Sequence, residues 1–184
     1  EVTPAQFRED LRALGDVDEI RVYINSPGGD VFAGQTIHSM LARHPATITV
    51  YVDGLAASAA SLIAMAGDVV IMPKNAMMMV HNPSALVWGA AEDMRYMADA
   101  LDKIRDSMVA AYRAKTGLDD DQIIELLDAE TWMTAEEAVE LGFADKVEEA
   151  KQVAATIHGD KVVINGVEMD LSRYKLPDRI RDAL

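Results

Sequence analysis

The sequence predicts an α/β fold with largely parallel strands, and three observations carry that expectation. Two strand–glycine turn–helix units follow one another, Ile20 to Ala42 and Thr47 to Ala66. Successive units of this kind pack as parallel strands covered by helices. Their strands, Ile20-Arg21-Val22-Tyr23-Ile24 and Thr47-Ile48-Thr49-Val50-Tyr51-Val52, are rich in the β-branched and aromatic residues that suit a pleated, buried surface. Half of the 184 residues are hydrophobic, enough for one sizeable core without staples.

The chain opens with a helix over Pro4 to Leu14, where Phe7, Leu11 and Leu14 fall on one face. Gly15-Asp16 ends it. The first strand runs into Asn25-Ser26-Pro27-Gly28-Gly29-Asp30, directly before a helix from Val31 to Ala42. Paired glycines let backbone N–H groups turn into a cleft, as an anion or oxyanion site requires, although most such turns are only turns. The second strand runs into Gly54-Leu55-Ala56-Ala57-Ser58-Ala59-Ala60-Ser61, with a small-residue helix from Ala59 to Ala66. A serine at a strand-to-helix turn sits beside helical N–H groups that have no intrahelical partner, at the positive end of the macrodipole. That position favours a nucleophile whose reaction creates negative charge nearby. The same stretch also reads as an Ala/Ser-rich helix packed closely on the sheet.

Val69 to Met72 and Ala76 to Val80 follow as short strands broken at Pro73-Lys74-Asn75. The second delivers His81-Asn82-Pro83 at its end, where an imidazole is free to titrate near neutrality or to serve as a hydrogen-bonded structural group. Ala90 to Lys115 is the longest helical segment, with Met94, Met97, Leu101, Ile104, Met108 and Ala111 in one stripe, ended by Thr116-Gly117. A further helix covers Asp119 to Leu127. Thr134-Ala135-Glu136-Glu137 is a capping box that opens another, to Leu141, with Gly142 beyond its end. Phe143 to Val147 reads as a last core strand. From residue 150 the character changes: Lys161 to Asp170 alternates about Asn165-Gly166, a strong hairpin signal. Leu171 to Leu184 is charged. The expected organisation is a domain over 1–149 and an appendage over 150–184.

Composition removes several function classes. A net charge of −14 argues against a nucleic-acid partner. No cysteine is present, so disulfides, thiolate metal sites and a cysteine nucleophile are excluded. There is no phosphate-binding Gly-x-x-x-x-Gly-Lys-Ser/Thr run, no apolar run long enough to cross a bilayer and no secretory signal. The expectation is a soluble, cytoplasmic protein needing no cofactor or metal and no membrane partner. Glu1 rather than Met stands first, so the native start is expected upstream.

Four stretches, taken together and in this order, carry a resemblance: Tyr23-Ile24-Asn25-Ser26-Pro27-Gly28-Gly29; Gly54-Leu55-Ala56-Ala57-Ser58-Ala59-Ala60; Met79-Val80-His81-Asn82-Pro83; and Ala135 to Asp145. The chain resembles the ClpP family of serine peptidases, within the ClpP/crotonase superfamily, from about Ile20 to Val147. The resemblance implies a superhelix of repeated β-β-α units with a long protruding handle helix. It makes Ser58 the nucleophile and His81 its general base, with the backbone N–H groups of Gly29 and Ala59 as the oxyanion hole. Ser26 and Ser61 are rival serines with structural readings.

The third triad member departs from the pattern, because Glu130 stands where the family has aspartate and Asp128 competes with it. The resemblance further implies a polypeptide substrate and a homo-oligomer built as a heptameric ring or stacked rings. The Met-lined helix then falls at the ring–ring contact, and a separate ATPase unfoldase is a possible partner. The family's N-terminal segment with its axial loops is absent or not included. Glu130-Thr131-Trp132 and the tail look more like the phage and prophage head maturation proteases, which trim capsid or scaffold proteins. Three alternatives stay open: a housekeeping-type proteolytic subunit, a crotonase-like acyl-CoA enzyme, and a catalytically weak ring-forming scaffold. A Ser-Lys dyad is disfavoured, since Lys74 sits in a Pro-Lys-Asn turn.

Overall fold

The computed structural model describes residues 2–149 and three further strands at 155–158, 161–164 and 167–170. The first part runs α1 (Pro4–Leu14), β1 (Glu19–Ser26), α2 (Val31–Ala42), β2 (Thr47–Ala57), α3 (Ala59–Ala64), β3 (Val69–Pro73) and β4 (Met77–Val80). It continues with α4 (Ala91–Thr116), α5 (Asp120–Asp128), β5 (Thr131–Thr134), α6 (Ala135–Glu140) and β6 (Lys146–Glu148). The helices form where their ends are satisfied. Thr3 caps α1 with Pro4 at its first turn, and Asp30 caps α2 through Ala33 N–H at 2.7 Å. Asp119 with Gln122, and Thr134 with Glu137, make reciprocal capping boxes for α5 and α6.

The central strand is β2. Along one edge it pairs in parallel with β1, from Glu19 opposite Thr47 to Ser26 opposite Ala56. Its other edge is shared: β3 pairs in parallel at Thr49–Tyr51, and β4 at Leu55–Ala57. β6 extends the β3 side in parallel, whereas β5 closes the β4 side antiparallel. The outcome is a mixed α/β fold on a curled mixed sheet, the fold class that the resemblance implies. Val50, Val52, Ala56 and Ala57 of β2 are fully buried, as strands covered on both faces should be. The C-terminal half of α4 is anchored by Met108, Val109 and Tyr112, all buried, while Met94 and Tyr96 near its start stand exposed.

Four details differ from the sequence expectation. β2 runs on from Val52 to Ala57, because β4 pairs with Leu55 to Ala57 and β1 with Ala56, and pairing overrides the weak strand propensity of Gly and Ala. α3 stops at Ala64 rather than Ala66. Phe143 and Ala144 are buried in a turn, and the strand expected there is the shorter β6. β5 was not expected as a strand. Beyond residue 150, β7 (Ala155–His158), β8 (Lys161–Ile164) and β9 (Val167–Asp170) form an antiparallel meander, with Ile164 opposite Val167 on either side of Asn165-Gly166. That turn pair and the charged segment 171–184 lie outside the described residues.

Candidate active site

The site begins where β2 ends. Ser58 follows Ala57 at once and adopts φ 55°, ψ −126°, in the region that L residues rarely enter, at a cost of about 1–3 kcal/mol. Three hydrogen bonds hold it there. Ser58 N–H donates to the Met79 carbonyl at 2.9 Å, and the Ser58 carbonyl accepts from Ser61 N–H at 2.9 Å and from Ser61 Oγ at 2.7 Å. The turn is also tightly overlain by Gly28 at φ +94°, where an added Cβ would lie 2.6 Å from the Ala57 carbonyl and 2.7 Å from Ser58 Cβ. Only glycine fits that crossing.

Sheet register brings the histidine to the serine. Ala57 is opposite Met79 in the β2–β4 pair, so the residues just beyond the two strand ends are neighbours. Ser58 Oγ and His81 Nε2 are 2.8 Å apart, within proton-transfer reach. The same logic places the acid. Val80 is opposite Thr131 in the antiparallel β4–β5 pair, which sets Glu130, at φ 50°, beside His81. Glu130 Oε2 lies 3.9 Å from His81 Nδ1, with the two side chains 14 % and 22 % exposed. That is an electrostatic contact longer than a hydrogen bond. The other Glu130 oxygen, Oε1, accepts from Trp132 Nε1 at 3.4 Å. Asp128 instead accepts from Asn82 Nδ2 at 2.7 Å, so Glu130 rather than Asp128 faces the imidazole.

Burial pushes the His81 pKa below the ordinary 6.5, and the Glu130 charge works against that push. The net effect keeps the imidazole neutral, and able to accept a proton, at neutral pH. The rival serines are otherwise engaged. Ser26 Oγ accepts from Gly28 N–H at 3.1 Å, and Ser61 is fully buried. Lys74 pairs with Glu149 at 2.9 Å. Among the described residues no group of three or more His, Asp or Glu side chains converges on a metal position.

Ser58, Ala59, His81 and Gly29 line one cleft of about 320 Å³. Ala59 is the first residue of α3, and neither its N–H nor that of Gly29 has a backbone partner among the described residues. The opposite wall comes from α4: Met97, Leu101, Ile104 and Met108, four members of the apolar stripe, border the same cleft. The sequence did not reveal that wall, since a stripe shows which residues share a face and not what the face meets. It likewise missed the Trp132–Glu130 contact, because Glu130 stands in the turn before β5 at positive φ, and no local pattern announces that conformation.

A hydroxyl hydrogen-bonded to a neutral imidazole, at a helix start in an apolar-walled cleft, is the arrangement for nucleophilic acyl transfer. Fold and site together define an α/β chain with a serine-hydrolase type of constellation. The family follows from comparison: residues 9–151 match the model of the Clp protease family. The chain is also 36% identical, over 132 residues, to the ATP-dependent Clp protease proteolytic subunit 2 of Thermobifida fusca, covering 70% of this chain and 64% of that protein. This chain belongs to the Clp protease family. Among the described residues no helix is long and apolar enough to cross a membrane.

Proposed function

We propose that this chain is a serine endopeptidase in which Ser58 attacks the peptide carbonyl and His81 takes its proton and returns it to the leaving amine. Glu130 steadies the imidazolium by its charge. The amides of Gly29 and Ala59 receive the negative charge of the tetrahedral intermediate, where loss of one donor costs about 10²–10³ in rate. The observation that carries this reading is the 2.8 Å contact between Ser58 Oγ and His81 Nε2 at the mouth of an apolar-walled cleft. The Met97, Leu101 and Ile104 wall suits an apolar substrate side chain next to the scissile bond.

The unit that acts is residues 1–149, with 150–184 as an appendage, assembled as a homo-oligomeric ring or pair of rings around polypeptide substrates. The finer reading, trimming of phage capsid or scaffold proteins, draws support from Glu130-Thr131-Trp132 and the C-terminal hairpin. A proteolytic subunit serving a separate ATPase draws support from the printed name of the Thermobifida relative.

The experiment is hydrolysis of unfolded casein and short fluorogenic peptides by the purified oligomer and by Ser58→Ala. Wild-type cleavage that falls by about 10⁶ in the variant, with assembly intact, is expected. Equal rates in the two would refute the proposal.

A further inference from the structure

Tyr112 lies on α4, far along the chain from the serine turn, yet its hydroxyl is linked through Ser61 to the nucleophile's own peptide group. Tyr112 and Ser61 are both 0 % exposed, and Tyr112 Oη is 2.8 Å from Ser61 Oγ. Ser61 Oγ is also 2.7 Å from the Ser58 carbonyl oxygen. A serine hydroxyl has one proton, and a carbonyl can only accept, so that proton goes to the Ser58 oxygen. The Tyr112 hydroxyl must then donate to Ser61 Oγ. The order of donation is fixed: Tyr112 to Ser61 to the Ser58 carbonyl. Burial also pushes the Tyr112 pKa upward, so the phenol keeps its proton across the working pH range.

That carbonyl belongs to the Ser58–Ala59 peptide. The bond is trans, and in a trans peptide the N–H points opposite to the C=O. Pulling the carbonyl towards Ser61 and α4 therefore aims the Ala59 N–H the other way, and Ala59 borders the cleft that holds Ser58 and His81. A hydrogen bond accepted by an amide oxygen also polarises the amide and makes its N–H a better donor. The wall helix α4 thus meets the reacting centre twice, through its apolar side chains in the cleft and through this buried polar chain.

We infer that Tyr112 and Ser61 are positioning residues that hold the Ser58–Ala59 peptide with its Ala59 N–H turned towards the developing oxyanion, coupling α4 to the site. The inference rests on the serine-peptidase reading. A pair that only fills and satisfies the core would change stability alone. A pair that aims an oxyanion donor acts in the transition state, lowering kcat with little change in KM.

The test compares Tyr112→Phe, Ser61→Ala and the double variant with wild type on one peptide, well below every melting midpoint. Each single change is expected to lower kcat by roughly three- to tenfold with KM within about twofold, the worth of one hydrogen bond. The double variant is expected to lose less than the product of the two, because the bonds act in series. The acid limb of the pH–rate profile stays in place, since His81 is untouched. Should Ser61→Ala fail to fold, the isosteric Tyr112→Phe carries the test alone. Lower melting points with unchanged kcat would overturn the inference and leave the peptidase reading standing. A wild type without hydrolytic activity would remove both.

Discussion

The two flanks of His81 are built differently. On the serine side every backbone group of Ser58 is engaged, Gly28 lies against the turn, and Oγ meets Nε2 at 2.8 Å. On the acid side the contact is 3.9 Å, and one Glu130 oxygen is shared with Trp132. The serine flank comes from long parallel strands and a buried helix start. The acid flank comes from β5, four residues at the end of the sheet. On the proposed mechanism, tight geometry is concentrated where bonds would be made, and the charge that supports the imidazole acts through space. Such a constellation should be intolerant of change at the serine turn and tolerant at the acid.

The sharpest way to break that contrast is Gly28→Ala. The new Cβ would sit 2.6 Å from the Ala57 carbonyl at φ +94°, so either the glycine turn or the serine turn must move. A displacement near 1 Å typically costs about 10² in rate. We expect a loss of at least that size in peptide turnover, together with a lower melting temperature. A variant with near-wild-type turnover would mean that the serine turn is not fixed by its neighbours.

A smaller effect is expected from Glu130→Gln, which keeps the shape and removes the charge. At about 4 Å a charge pair is worth roughly 1 kcal/mol in water and several times that when partly shielded. The expected loss is therefore tenfold to a hundredfold. The pH profile gives the sign. Burial already lowers the His81 pKa and Glu130 raises it. Removing the carboxylate lowers the pKa further, so the imidazole stays neutral to more acidic pH and the acid limb of kcat/KM moves down. A loss near 10⁴, as when a directly bonded acid fixes the imidazole tautomer, would show that the flank closes in the working assembly.

The sequence made the serine flank legible because its determinants are local. Gly28-Gly29, the small residues around Ser58 and the strand ahead of His81 are contiguous patterns, and the end of α1 and the start of α6 announce themselves through Gly15 and the Thr134–Glu137 capping box. What stayed hidden depends on pairing at a distance. Thr131 to Thr134 is too short to display alternation, so β5 emerges only from its register with β4. Whether Glu130 or Asp128 faces His81 follows from that register and from the positive φ of Glu130. The Ser61–Tyr112 contact joins residues 51 apart, and nothing in either residue's neighbourhood points to the other.

The most direct measurement is to treat the assembled protein with a fluorophosphonate and map the adduct by peptide mass spectrometry. The account predicts a single modified residue, Ser58, with modification slowed strongly in His81→Ala. Modification at Ser26 or Ser61, or an adduct on Ser58 that forms equally fast without the His81 imidazole, would contradict it.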